Sequence, residues 1–185
     1  MAQKYLLGLD NGTTGVKCKY YDLQGNIMGQ GYREYSCFYP KPGWTDQDVN
    51  MLMEANFQAL ADVLKASGVN PEDVAGMGLS TQRALHLYVD KQGKVLRNGM
   101  GISWQDGRHT EQLAWMRDQL PESRYFKITG LPVGQIWSAG KIKWVMENEP
   151  ETFEAADKVL LTQEYFLHEL GAKDGWFDDW SNASL

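Results

Sequence analysis

The chain has 185 residues, 43% of them hydrophobic and 23% charged, which suits one ordinary domain and is too apolar for a disordered segment. A net charge of −6 with a pI near 5.1 argues against nonspecific binding to nucleic acid or to an anionic membrane. The two cysteines, Cys18 and Cys37, form no CxxC spacing, so neither a disulfide framework nor zinc or redox chemistry is indicated.

The opening MAQKYLLGLD is too short an apolar run for a secretion signal, and no segment has the apolar length needed to cross a bilayer, so a cytoplasmic location is expected. Tyr5 to Leu9 reads as a buried strand. In VKCKYYD, Val16, Cys18 and Tyr20 alternate with Lys17 and Lys19 as in a half-buried strand, and IMGQGYREYS is a third. These three make a meander. Thr45 and Asp48 have the spacing of a capping box, and Val49, Leu52, Met53, Phe57, Leu60 and Leu64 repeat at helical spacing up to Gly68.

Strands are expected over 74–79 and 85–89, followed by a turn at Lys91-Gln92-Gly93-Lys94. His109 to Leu120 predicts a helix stopped by Pro121, residues 129–136 a loop, and Ala139 to Glu149 a helix ended by Pro150. A short helical turn, a strand over 158–162 and a helix over 163–170 follow. The tail WFDDWSNASL offers Asp179, Ser181 and Asn182 as N-cap residues for a helix that stops in mid-element at Leu185. Strands before and after one long helix imply an α/β domain with a mixed sheet.

The stretch with the densest chemistry is LGLDNGTTGVK, residues 7–17. It is neither a Walker loop nor a dinucleotide fingerprint, because a strand follows it. Asn-Gly alone signals an ordinary hairpin turn. Asp10, Thr13, Thr14 and the returning Lys17 tip the reading toward a hairpin whose N–H groups and hydroxyls meet phosphate, with Asp10 orienting the waters of Mg²⁺ and Lys17 supplying a point charge.

In series, DNGTTGVK, PGWTDQD, GLSTQR with ISWQDGR, TGLPVGQIWSAGKIKWVMENEPETF and DDWSNASL resemble the N-terminal domain of the FGGY family of carbohydrate kinases. The resemblance covers essentially residues 1–185. It implies a ribonuclease H-like, actin-like ATPase domain with helices flanking a mixed sheet, and transfer of the γ-phosphoryl group of ATP to a sugar or polyol hydroxyl. It gives Asp10 the Mg²⁺ role through water and Gly12, Thr13, Thr14 and Lys17 the phosphate. Gln82, Arg83 and Trp104 match substrate-binding positions, Asp106 supports that wall or touches the sugar, and Gln135 is a further substrate contact. His86 lies close by, and packing explains it equally well. Asp106 and Arg108 are expected to bind one another.

The resemblance also has gaps. Glycerol kinases carry a Glu at Ala84 and a Tyr at Ile136, and xylulokinases carry Met-His-Gly at Arg83-Ala84-Leu85, so glycerol and D-xylulose are disfavoured among polyols, ketoses and sugar acids. The family's general base and its adenosine-gripping second domain have no counterpart in these residues, so a truncation near Leu185 and an inactive isolated chain are expected. Trp115, Trp137 and Trp144 are expected in the core or on an exposed interface that would favour a homo-oligomer. The rival readings are a noncatalytic sugar-binding or regulatory module and a structural ATPase domain.

Overall fold

The computed structural model of the protein describes residues 4–184. Its strands are β1 (Tyr5–Asn11), β2 (Gly15–Asp22), β3 (Ile27–Glu34), β4 (Cys37–Phe38), β5 (Asp46–Asp48), β6 (Val74–Thr81), β7 (Leu87–Val89), β8 (Met100–Ile102) and β9 (Lys158–Leu160). Its α-helices are α1 (Val49–Ser67), α2 (Thr110–Gln119), α3 (Glu122–Thr129), α4 (Ser138–Asn148), α5 (Pro150–Ala155), α6 (Thr162–Glu169) and α7 (Trp180–Ala183). The chain divides into two compact units: residues up to Cys37 with Asn50–Gln82, and Phe38–Val49 with the residues from Arg83 onward.

The first unit is built on a mixed sheet in the order β3-β2-β1-β6, with β1 antiparallel to β2 and parallel to β6. Side-chain alternation decides its two faces. Leu7, Leu9 and Asn11 of β1 and Val16, Cys18 and Tyr20 of β2 are buried, while Asp10 and Lys17 are exposed on the opposite face. Helix α1 contributes Leu52, Met53, Ala55, Ala59 and Val63 to the core. Gly31 lets α1 lie against β3, because a Cβ there would come within 2.5 Å of the Ala59 carbonyl oxygen. Beside it, Arg33 and Asp62 form an ion pair at 2.6 Å.

The second unit carries two small sheets, β4-β5-β8 and β7-β9. Tyr88 of β7, Ile102 of β8 and Trp144 and Val145 of α4 form its buried cluster, covered by Trp44, Leu96 and Phe153. Asp179 caps α7 by accepting from the Ser181 and Asn182 amides at 2.7 and 3.1 Å. The interruption expected at Leu185 lies outside the described residues.

Two expectations change. Thr45 does not cap α1: Asp46–Asp48 are drawn into a strand by antiparallel pairing with β8, and the helix starts only at Val49. Pro121 does end α2, yet α3 begins at the next residue. Proline at a helix entrance loses no hydrogen bond the helix would have made, so the residue that terminates one helix opens another. Gly130, at φ +73, closes α3 in the left-handed conformation.

Candidate active site

Asp10, Gly12, Thr13, Thr14, Lys17 and Gln82 belong to the first unit. Asn11 ends β1 as a fully buried residue, and the chain reverses over Gly12–Gly15, with the Gly12 amide donating to the Gly15 carbonyl at 3.0 Å. Thr13 and Thr14 therefore hold the central positions, and neither has positive φ. An Asn-Gly turn would need both central residues left-handed. Here Asn11 and Gly12 lie before the two central positions, so neither supplies the left-handed residue of an Asn-Gly turn.

Tyr35 fastens this tip. Its amide donates to the Thr14 carbonyl at 3.1 Å, and its hydroxyl reaches the Asn11 Oδ1 at 3.1 Å and the Gly12 carbonyl. Burial, then the Cys37 thiol, raises the phenol's pKa, so it stays a donor. The Gln82 amide holds the other side of the strand end by donating to the Asn11 carbonyl at 2.6 Å.

On the open sheet face, Asp10 stands opposite Lys17 on β2 and Ser80 on β6. No ion pair or hydrogen bond to another described residue engages the Asp10 or Lys17 side chain. With Gly8, Lys19, Tyr21 and Gly78 they line a cavity of about 400 Å³. A free carboxylate on a glycine-floored surface suits a hydrated Mg²⁺, which keeps several waters and takes only one or two carboxylates. The Gln82 side chain is buried, and both of its amide atoms lack a hydrogen-bond partner among the described residues.

Arg83, Trp104, Asp106 and Gln135 belong to the second unit. Arg83 is exposed and free of ion pairs and hydrogen bonds among the described residues. Ala84 follows it at φ +56 and is buried. Trp104 is half-buried and lies in a turn where the Asp106 amide donates to the Ser103 carbonyl at 3.1 Å.

Asp106 has no exposed surface. Its carboxylate accepts from the Thr45 amide at 2.5 Å, from the Arg108 amide and Nε at 2.9 Å each, and from Arg108 Nη2 at 2.9 Å. Both carboxylate oxygens are thus engaged within the protein, by Thr45 and Arg108. Arg108 also reaches Asp46 at 2.5 Å, and its guanidinium lies 4.2 Å from the Trp44 ring and 5.1 Å from the Trp144 ring. The PGWTDQD and WQDGR segments are thus joined by one buried network. Gln135 is exposed and donates to the Gln105 carbonyl at 3.1 Å. With Trp44, Lys41 and Tyr39 these two glutamines line a cavity of about 640 Å³.

The FGGY family of carbohydrate kinases, N-terminal domain, matches residues 5–185. The chain belongs to that family. It is 33% identical to a glycerol kinase of Desulforamulus reducens over the whole chain and 37% of that protein. The gluconate kinase of Lactobacillus acidophilus superposes with a TM-score of 0.89 at 21% identity over 98% of this chain and 36% of that one. Plasmodium falciparum glycerol kinase, solved with ADP, superposes with a TM-score of 0.85 at 23% identity over 98% of this chain and 37% of its own. The fold is that of actin-like ATPases, and the FGGY chain described here spans little more than a third of the length of these relatives. No described helix is long and apolar enough to cross a membrane.

Sequence reasoning missed Tyr35, Asn11, Asp46 and Lys141. Asn11 and Asp46 sit inside quoted motifs, and their burial was the hidden part. Tyr35 had no signal, since its partners are 23 and 24 residues away.

Proposed function

We propose that this chain supplies the first phosphate motif and the sugar-binding wall of an ATP-dependent carbohydrate kinase. The observation that carries this reading is the hairpin: Asp10 and Lys17 face each other as exposed, unpaired charges beside a tip whose shape does not use Asn-Gly as its turn. In such a kinase Asp10 holds Mg²⁺ through water, and Gly12, Thr13, Thr14 and Lys17 hold the phosphates. Positioning and charge neutralisation are what phosphoryl transfer chiefly asks of a protein. Arg83 offers a fixed fork of donors to substrate hydroxyls, with Gln82 and its unpartnered amide as a second polar contact. Trp104 packs on the carbon skeleton. The proton leaving the attacking hydroxyl goes to a base outside these residues.

The substrate is a polyol, a ketose or a sugar acid. Ala84 and Ile136 lack the polar groups that glycerol kinases place there, which disfavours glycerol although glycerol kinases are among the relatives at 33% identity. Mg-ATP-dependent ADP formation by the full-length gene product across such a panel tests the reading. Turnover with one sugar is expected, and Asp10→Asn should lower kcat about a hundredfold or more while the sugar KM moves less than about threefold. Sugar binding without ADP formation would point instead to the noncatalytic module.

A further inference from the structure

Lys141 is a lysine with no exposed surface, placed in the first turn of α4. Both features disfavour a cation, because burial strips its hydration and a helix N-terminus carries positive partial charge. Around it stand His86, His109, Asp106 and Arg108. Burial first, and Lys141 next, hold both imidazoles neutral, at about 3 for His86 and about 4 for His109. Asp106, the acid among them, is already committed to Arg108. The ammonium therefore has no dedicated counter-ion.

What it has is backbone. Lys141 Nζ donates to the Gln135 carbonyl at 2.6 Å and reaches the Trp137 carbonyl at 3.4 Å. These two residues flank Ile136 in the connection between α3 and α4, which has no regular structure and contains Gly130, Pro132 and Gly134. Gln135 and Ile136 are both exposed. Gln135 Nε2 is in turn held on the Gln105 carbonyl, next to Trp104. A buried donor thus holds the Gln135–Ile136 and Trp137–Ser138 peptides, which bracket Ile136 and Trp137, and through Gln135 it fixes the loop against the WQDGR turn.

We propose that Lys141 is the positioning residue of the sugar pocket, clamping the Gln135–Trp137 backbone so that Gln135 and Ile136 are presented to the substrate in one geometry. This rests on the kinase reading. The clamp is specific to sugar, since the phosphate motif lies in the other unit. Burial lowers the Lys141 pKa to about 8, with Asp106 opposing that shift and Arg108 adding to it, so the clamp loses its charge within reach of ordinary assays.

The test compares Lys141→Met and Lys141→Arg in the full-length gene product with the sugar that wild type turns over. Lys141 has no dedicated counter-ion to be left unpaired, so an apolar side chain of similar volume should cost little stability beyond the hydrogen bonds to two carbonyls. The melting temperature of Lys141→Met is therefore expected within a few degrees of wild type. Its sugar KM should rise about tenfold, the loss of one charge-assisted hydrogen bond, with the ATP KM unchanged and kcat down less than about threefold. Lys141→Arg should restore most of the sugar KM. In wild type the sugar KM should rise as the pH passes through 8, and in Lys141→Arg that rise should vanish.

A sugar KM unchanged in Lys141→Met, or sugar KM, ATP KM and kcat falling off together with stability, would overturn the clamp while leaving the kinase standing. Wild type that turns over no sugar would overturn the kinase reading itself. Should Lys141→Met fail to fold, Lys141→Gln, which keeps an N–H donor without the charge, takes its place with the same expected split.

Discussion

Asp10 and Lys17 face each other across the first hairpin with exposed side chains that make no ion pair or hydrogen bond to a described residue, whereas the side chains of Asp106 and Arg108 have no exposed surface and are bonded to each other. Both pairs join an acid to a base in a segment with sequence motifs, yet they do opposite work. Exposed charges on a rigid strand pair stay solvated, contribute little to folding and remain available to a ligand. A buried pair is unavailable to any ligand, and its value is geometric: it fixes where the Trp104 turn and the Trp44 loop must lie. Charge that acts and charge that builds are told apart by burial and partners.

The largest expected effect separates the two directly. Asp106→Ala leaves Arg108 buried with only Asp46 beside it, and the loss of unfolding free energy should be about 3–5 kcal/mol. Asp10→Asn should change it by less than about 0.5 kcal/mol. Urea unfolding of both variants checks this, and equal losses would break the comparison.

A smaller effect concerns pH. His86 and His109 are neutral in the fold, with pKa values depressed to about 3 and about 4 from the ordinary 6.5. Between those limits the unfolded chain binds more protons than the folded one. Their stabilising effect is therefore whole above pH 6.5 and is lost as the pH falls toward 4, at up to about 1.4 kcal/mol per pH unit for each imidazole. His86→Leu should flatten that acid limb measurably in unfolding curves taken from pH 7 to 4, and an unchanged limb would show that the buried imidazole does not set it.

The smallest effect is at Ala84, whose φ of +56 strains a residue with a Cβ. Ala84→Gly should stabilise the chain by about 0.5–1 kcal/mol, the relief of left-handed strain less the entropy of glycine. A thermal shift of the variant upward supports the strain, and a downward shift would show that packing of the buried methyl matters more.

Much of this was legible locally. The alternation of Val16, Cys18 and Tyr20 with Lys17 and Lys19 predicts both the strand and its two faces, because side-chain direction in a strand has a period of two. That Asp10 shares a face with Lys17 was decided by the register between β1 and β2, because the apolar run to Leu9 reads only as a buried strand. Helix α1 was readable from its apolar spacing, but its start was not. Thr45 looked like a cap, and its amide instead donates to Asp106, 61 residues away. Helix α3 was hidden because proline reads as a stop from one side and as a start from the other.

What the sequence by itself determined is the first three-strand meander, helices α1, α2, α4 and α6, and the identity of the reactive groups, since those depend on interactions a few residues long; β5 and β8 form only by pairing from distant parts of the chain. It also carried the family, through five motifs in order. Only the tertiary structure decided which charges are free. Asp10, Asp46 and Asp106 are the same side chain in motifs of similar appearance, and Lys17 and Lys141 likewise. Whether each meets water, a ligand or a buried partner depends on segments far along the chain closing around it, and the desolvation that follows is a property of the closed fold rather than of the residue.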